Sequence, residues 1–212
     1  MGEPELHLYR TLRDVPLRPT LFLDCDGVLN EDRGPEGIID PGELRLLPGA
    51  AAAVARLNRA GILAIAVTNR AQVARGHITE AEVCAILDRL IMVIAEAGGR
   101  LDGLFYCPHL PPPAPPGANM DFIFNCDCRK PRDGLLRQAA TALAVDRRRA
   151  ALVGDTTRDI AAAHAFGIPG WRVRTGHACI DPRPGALVPD LCFPSVVEAT
   201  AHAVDLWGCA RR

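Results

Sequence analysis

Thr20-Leu21-Phe22-Leu23-Asp24-Cys25-Asp26-Gly27-Val28-Leu29-Asn30 places two acids, one residue apart, at the end of a short apolar run. Side chains alternate faces along a strand, so Asp24 and Asp26 share one side if the strand continues through them. Gly27 permits a sharp departure of the backbone, which leaves both carboxylates at the strand's C-terminal tip. Open α/β sheets bind their ligands at such tips. Alone, an apolar run followed by Asp-x-Asp fits a loop or a cap equally well.

Further segments repeat the arrangement. Ile62-Leu63-Ala64-Ile65-Ala66-Val67 ends in Thr68-Asn69, and Ala150-Ala151-Leu152-Val153 ends in Gly154-Asp155-Thr156-Thr157-Arg158-Asp159, with Cys128-Arg129-Lys130-Pro131 between them. Helix signals fall in the gaps. Pro48-Gly49 opens an Ala-rich helix that Gly61 closes, and Thr79 with Glu82 forms a capping box before a helix running to Gly98-Gly99. Asp133 is placed to cap a helix reaching Leu143. A helix after Asp155 ends near Gly167, a strand follows at 171–174, and residues 195–207 read as an amphipathic helix. Arg147-Arg148-Arg149 reads as a solvated helix–strand turn, and the Pro-rich residues 180–194 as a surface wrap. Strands alternating with helices predict an α/β fold, a three-layer Rossmann-like parallel sheet with helices on both faces. The length suits one core, so residues 1–212 are read as a single domain.

These motifs resemble those of the haloacid dehalogenase superfamily of phosphohydrolases. Asp24-x-Asp26-Gly27-Val28 matches the first motif, Thr68 the second, Lys130 the third and Gly154-Asp155-x-x-x-Asp159 the fourth, covering roughly residues 19–176. The resemblance implies that Asp24 attacks phosphorus to form an aspartyl-phosphate. It implies that Asp26 protonates the leaving oxygen and then activates water. Asp24 and Asp155 are expected to bind a metal through their side chains and Asp26 through its backbone carbonyl, with Asp159 orienting Lys130 or metal-bound water. Charge balance points the same way, because a phosphate dianion cannot approach a bare cluster of four acids. A hard divalent cation with oxygen ligands resolves this, and Mg²⁺ is the usual one beside phosphate. Lys130 and the Thr68 hydroxyl can then hold the phosphoryl oxygens.

A second metal is expected away from the acids. Of eight cysteines, three form a set with a histidine: Cys107-Pro108-His109, then Cys126-Asp127-Cys128. A Cys₃His set suits tetrahedral Zn²⁺, and four protein ligands leave no open position, so this site is expected to be structural. The loop 107–128 contains Pro111-Pro112-Pro113-Ala114-Pro115-Pro116-Gly117, which has no core of its own and needs such a clamp. Cys128 directly precedes Arg129-Lys130, so the clamp would fix the residues presented to phosphate. Cys25 is expected to face the sheet packing.

The Cys-x-His and Cys-x-Cys-Arg-Lys-Pro arrangement is similar to one zinc-loop branch of the superfamily. That branch comprises the D-glycero-D-manno-heptose-1,7-bisphosphate 7-phosphatases and their relatives, the histidinol-phosphate phosphatases. The resemblance implies a phosphorylated-sugar substrate, with histidinol phosphate as the alternative and a catalytically silent phosphate-binding module as a third. About twenty residues separate Asn30 from the helix near Gly49, too few for a large cap domain. Substrate choice would therefore fall to loops near 31–47, 69–77 and 108–129, with Asn69, Arg70 and Arg129 as expected substrate-binding residues. Arg70 stands where the family usually has Gln, and it could serve a second phosphate or a carboxylate.

Composition excludes several partners. The formal net charge is −1 and basic residues are interspersed, which gives no reason to expect nucleic acid or an anionic membrane. Apolar runs are too short to span a bilayer. A monomeric cytoplasmic enzyme is the expectation.

Overall fold

The structure, a computed structural model, describes residues 15–34, 36–177 and 187–208. Six parallel strands form one sheet in the order β3-β2-β1-β4-β5-β6. They are β1 (Arg18–Leu23), β2 (Leu63–Asn69), β3 (Gly103–Cys107), β4 (Val145–Gly154), β5 (Gly170–Val173) and β6 (Leu191–Phe193). Among the described residues, five α-helices accompany them: α1 (Ala50–Arg59), α2 (Glu80–Glu96), α3 (Gly134–Ala142), α4 (Thr157–Phe166) and α5 (Val196–Trp207).

The strands alternate between two cores. Leu21 and Leu23, Ala64 and Ala66, and Ala151 and Val153 pack with α1, α2 and α5 on one face. Phe22, Ile65, Val67, Ala150 and Leu152 pack with α3 and α4 on the other. Burial on both sides explains why these strands read as continuous apolar runs, and each fully buried large side chain contributes about 1.5–3 kcal/mol. Phe22 meets Phe166 of α4 edge-on, with ring centroids 6.1 Å apart. This is the expected three-layer α/β architecture.

Local signals behave as their chemistry dictates. Thr79 accepts from the Glu82 amide while the Glu82 carboxylate accepts from Thr79, and Ser195 with Glu198 closes the same box on α5. Gly167 ends α4 in the left-handed conformation (φ 80°).

Three local expectations need correction. Asp133 precedes α3 but makes no side-chain cap; its carboxylate instead pairs with Arg137 one turn on, at 3.0 Å. Arg147-Arg148-Arg149 is exposed as expected but lies inside β4 rather than on a turn, with the Arg147 guanidinium 4.2 Å from the Phe166 ring centroid. Residues 191–193, read as part of a surface wrap, form the edge strand β6 beside β5.

The chain steps from β1 to β2 on one side and later returns to place β4 on the other. The crevice at the C-terminal ends of β1 and β4 is therefore a topological switch point.

Candidate active site

β1 ends at Leu23, so Asp24 and Asp26 sit on the turn beyond it rather than on a continued strand. Asp24 N donates to Val153 O of β4, and the amides of Val28, Leu29 and Asn30 all converge on Cys25 O. This tight turn sends Cys25 into the core, fully buried as expected, and leaves both acids at the pocket. Gly27 (φ 75°) is required twice over: a Cβ there would lie 2.5 Å from Asp155 Oδ2.

Lys130, from the loop before α3, reaches under this turn and is 2% exposed. Its Nζ lies 2.9 Å from Asp24 Oδ1 and 2.6 Å from Asp159 Oδ1, and donates to Val67 O at 2.8 Å. Burial works to lower the Lys130 pKa, but Asp159 and Asp24 more than offset it and hold the ammonium charged. Asp159 is fixed in turn by Thr156, whose N and Oγ1 donate to Oδ2. Asp155, at the end of β4, accepts from His177 N at 2.7 Å. Burial pushes Asp24 up to about 7, against the pull of Lys130. It pushes Asp155 up to about 8, with Asp24 and Asp159 repelling it further.

That repulsion tests the metal expectation. Oxygens of Asp24, Asp155 and Asp159 lie within 4.8 Å of one another. A cation placed among these oxygens would relieve the burial and repulsion that push Asp24 and Asp155 up. An all-oxygen donor set of this kind fits one hard divalent cation.

Asp26 carries an unexpected partner. Arg70 Nη1 donates to Asp26 Oδ1 at 3.1 Å and Oδ2 at 3.0 Å, and Asn30 Nδ2 donates to Oδ1 at 2.7 Å. Arg70 is 1% exposed and turned inward, so its side chain is not placed to meet a substrate group as expected.

Asn69, also expected to bind substrate, clasps the Lys130 peptide on both sides: Nδ2 donates to Lys130 O and Oδ1 accepts from Lys130 N, each at 3.1 Å. Asn69 nonetheless lines the pocket with Thr68 and Arg129. Arg75 and Arg158 join Arg129 there, and together with burial their charges lower the Arg129 pKa. Neither had been given a role from the sequence, although Arg158 lies within the fourth motif. Gln72 and His177 also line the pocket; nothing in the sequence around His177 marks it.

The four expected zinc ligands converge. Cys107 Sγ lies 3.5 Å from Cys126 Sγ and 3.0 Å from Cys128 Sγ, and His109 Nδ1 lies 3.2 Å from Cys128 Sγ. All four donors fall within 4.8 Å of one another, close to the roughly 3.7 Å spacing of sulfurs around a tetrahedral ion with 2.3 Å bonds. The Cys₃His set could therefore hold a metal. The cluster is tied to the pocket, because Arg129 Nη1 donates to His109 O at 3.1 Å.

Fold and site together define a hydrolase of the haloacid dehalogenase class. The HAD-hydrolase-like family model matches residues 127–199. Curated relatives include the D-glycero-β-D-manno-heptose-1,7-bisphosphate 7-phosphatase of Rhodopseudomonas palustris, 37% identical over 74% of this chain and 84% of that protein. The enzyme of the same name from Vibrio cholerae is 36% identical over 75% of this chain and 83% of its own length. Among solved structures, the D,D-heptose 1,7-bisphosphate phosphatase from B. bronchiseptica, complexed with magnesium and phosphate, superposes with a TM-score of 0.76. It is 31% identical, covering 88% of this chain and 98% of that one. The chain belongs to this family of phosphomonoester hydrolases.

Proposed function

We propose that this chain removes the C7 phosphate of D-glycero-β-D-manno-heptose 1,7-bisphosphate through a phosphoryl group carried briefly by Asp24. The observation that carries the reading is the buried Lys130 ammonium, 2.9 Å from Asp24 and 2.6 Å from Asp159, beside Asp155. Lys130 pulls Asp24 toward the carboxylate form against its burial and offers a fixed positive charge to the phosphoryl oxygens.

An Asp24 oxygen forms the new bond to phosphorus as the ester P–O bond breaks, and Asp26 gives its proton to the departing sugar oxygen. Water then attacks the same phosphorus, yields a proton to Asp26, and the Asp24–phosphorus bond breaks. The carboxylates of Asp24 and Asp155 and the Asp26 carbonyl would hold Mg²⁺, which supplies charge neutralisation for the incoming dianion. Thr68 hydrogen-bonds the phosphoryl group, and Asn69 keeps the Lys130 peptide in place.

Substrate preference follows from charge. Arg75, Arg129 and Arg158 line the pocket, which favours a second phosphate and disfavours the ammonium of histidinol phosphate. Zn²⁺ on Cys107, His109, Cys126 and Cys128 would hold the loop that carries Arg129. Such thiolate ligation suits the reducing cytoplasm. Residues 1–212 are read as one domain, supported by the single sheet that runs from β1 to β6. A phosphate-release panel of heptose bisphosphate, histidinol phosphate and nucleotides, with and without chelator, tests the reading. The bisphosphate should turn over fastest and only with metal present; equal or faster turnover of histidinol phosphate would reverse the assignment.

A further inference from the structure

Arg70 is among the largest fully buried side chains of the described residues, and its guanidinium pairs with the Asp26 carboxylate, with the Cys25 thiol beside it. One nitrogen, Nη1, reaches both carboxylate oxygens. Nε and Nη2 are buried with no hydrogen-bond partner. A guanidinium buried with two idle nitrogens is a poor stability device, because its desolvation is only partly offset. What the contact does provide is direction. Asn30 holds Oδ1 from the turn, and Arg70 bridges Oδ1 and Oδ2 from the end of β2. The carboxylate is thereby fixed in orientation, and Oδ2, which accepts from Arg70, keeps lone-pair capacity for a proton.

We propose that Arg70 is a positioning residue that aims the Asp26 carboxyl at the leaving oxygen of the substrate. This rests on the reading of Asp26 as the proton donor. Orientation of an acid matters most where the leaving group is a poor one. A sugar alkoxide needs the proton, whereas p-nitrophenolate needs little help.

The test compares kcat/KM, which reports phosphoryl transfer and not the later attack of water, on the heptose bisphosphate and on p-nitrophenyl phosphate for wild type, Arg70→Gln, Arg70→Lys and Asp26→Asn, with circular dichroism confirming the fold of each. Arg70→Gln should lower the sugar-phosphate rate about tenfold to a hundredfold, part of the ~10²–10⁴ that a general acid contributes. The rate on the aryl ester should fall much less, so their ratio drops about tenfold, and Arg70→Lys should recover part of it. In an Asp26→Asn background, adding Arg70→Gln should cost less than about twofold more on the aryl ester, as expected when one residue acts through the other. Equal losses on both esters, or additive losses in the double variant, would overturn the proposal. If Arg70→Gln does not fold, Arg70→Lys carries the same ratio test. Undiminished sugar-phosphate turnover in Asp26→Asn would instead defeat the reading of Asp26 itself.

Discussion

Asn69 and Lys130 hold each other by two reciprocal hydrogen bonds, each 3.1 Å, between the Asn69 side chain and the Lys130 backbone. They are 61 positions apart in the chain, on the end of β2 and on the loop that leaves the cysteine cluster. This clasp is what carries the rigidity of the sheet to the Lys130 ammonium. Asn69→Ala removes both bonds, each worth about 0.5–1.5 kcal/mol. We expect kcat to fall about tenfold, since loosely held catalytic groups lose positioning, with a smaller effect on Tm. Asn69→Asp, which loses the donor but keeps the acceptor, should lie between; steady-state kinetics and thermal melts check both.

The cysteine cluster should act on the pocket through Arg129 and the Lys130 loop. Cys126→Ala is expected to raise KM about tenfold or more, the range usual when the surroundings of a metal-held element are disturbed. The melting of the sheet should shift less. Metal analysis, KM and proteolysis of the 107–128 loop check this; loss of zinc with unchanged kinetics would refute the link.

Cys25 illustrates a pH effect with a definite sign. Burial raises its thiol to about 12. The thiolate is the reactive form, so in the folded protein at pH 8 its fraction is on the order of 10⁻⁴. Cys84 and Cys192 are exposed. Alkylation followed by peptide mapping should label Cys84 and Cys192 before Cys25, which reacts only after unfolding or well above pH 8. Fast labelling of Cys25 in the native state at pH 8 would be wrong for this packing.

Arg147 should matter for stability and not for chemistry. Its guanidinium stacks on Phe166 at 4.2 Å and donates to Phe166 O, joining β4 to the end of α4. Arg147→Ala should cost about 1 kcal/mol, from an exposed cation–π contact plus one hydrogen bond, with kcat unchanged. Chemical denaturation alongside kinetics checks it.

Much of the site was legible because its residues sit where the backbone changes type. Asp24, Thr68 and Asp155 each end a strand that is apolar on both faces, and Thr79 and Ser195 cap helices by a local chemistry that needs no partner elsewhere. What was hidden depends on contacts distant in sequence. Arg70 looks like a substrate-facing cation until the fold brings Asp26 across from β1. Asp133 looks like a cap, yet Arg137 one turn along offers a charged partner instead. Leu191–Phe193 is too short to signal a strand by periodicity, and pairs only because β5 leaves an open edge. His177 enters the pocket from beyond β5, its amide on Asp155 and its imidazole on Asp32, partners far from it in the chain.

The most direct measurement is rapid acid quench of the enzyme during turnover, with mass spectrometry of the peptide containing Asp24. A phosphoryl group should appear on Asp24, forming and decaying at rates no slower than kcat, and Asp24→Asn should carry none and turn over no substrate. A phosphoryl group on another residue, or undiminished turnover by Asp24→Asn, would contradict the assignment of Asp24 as the nucleophile.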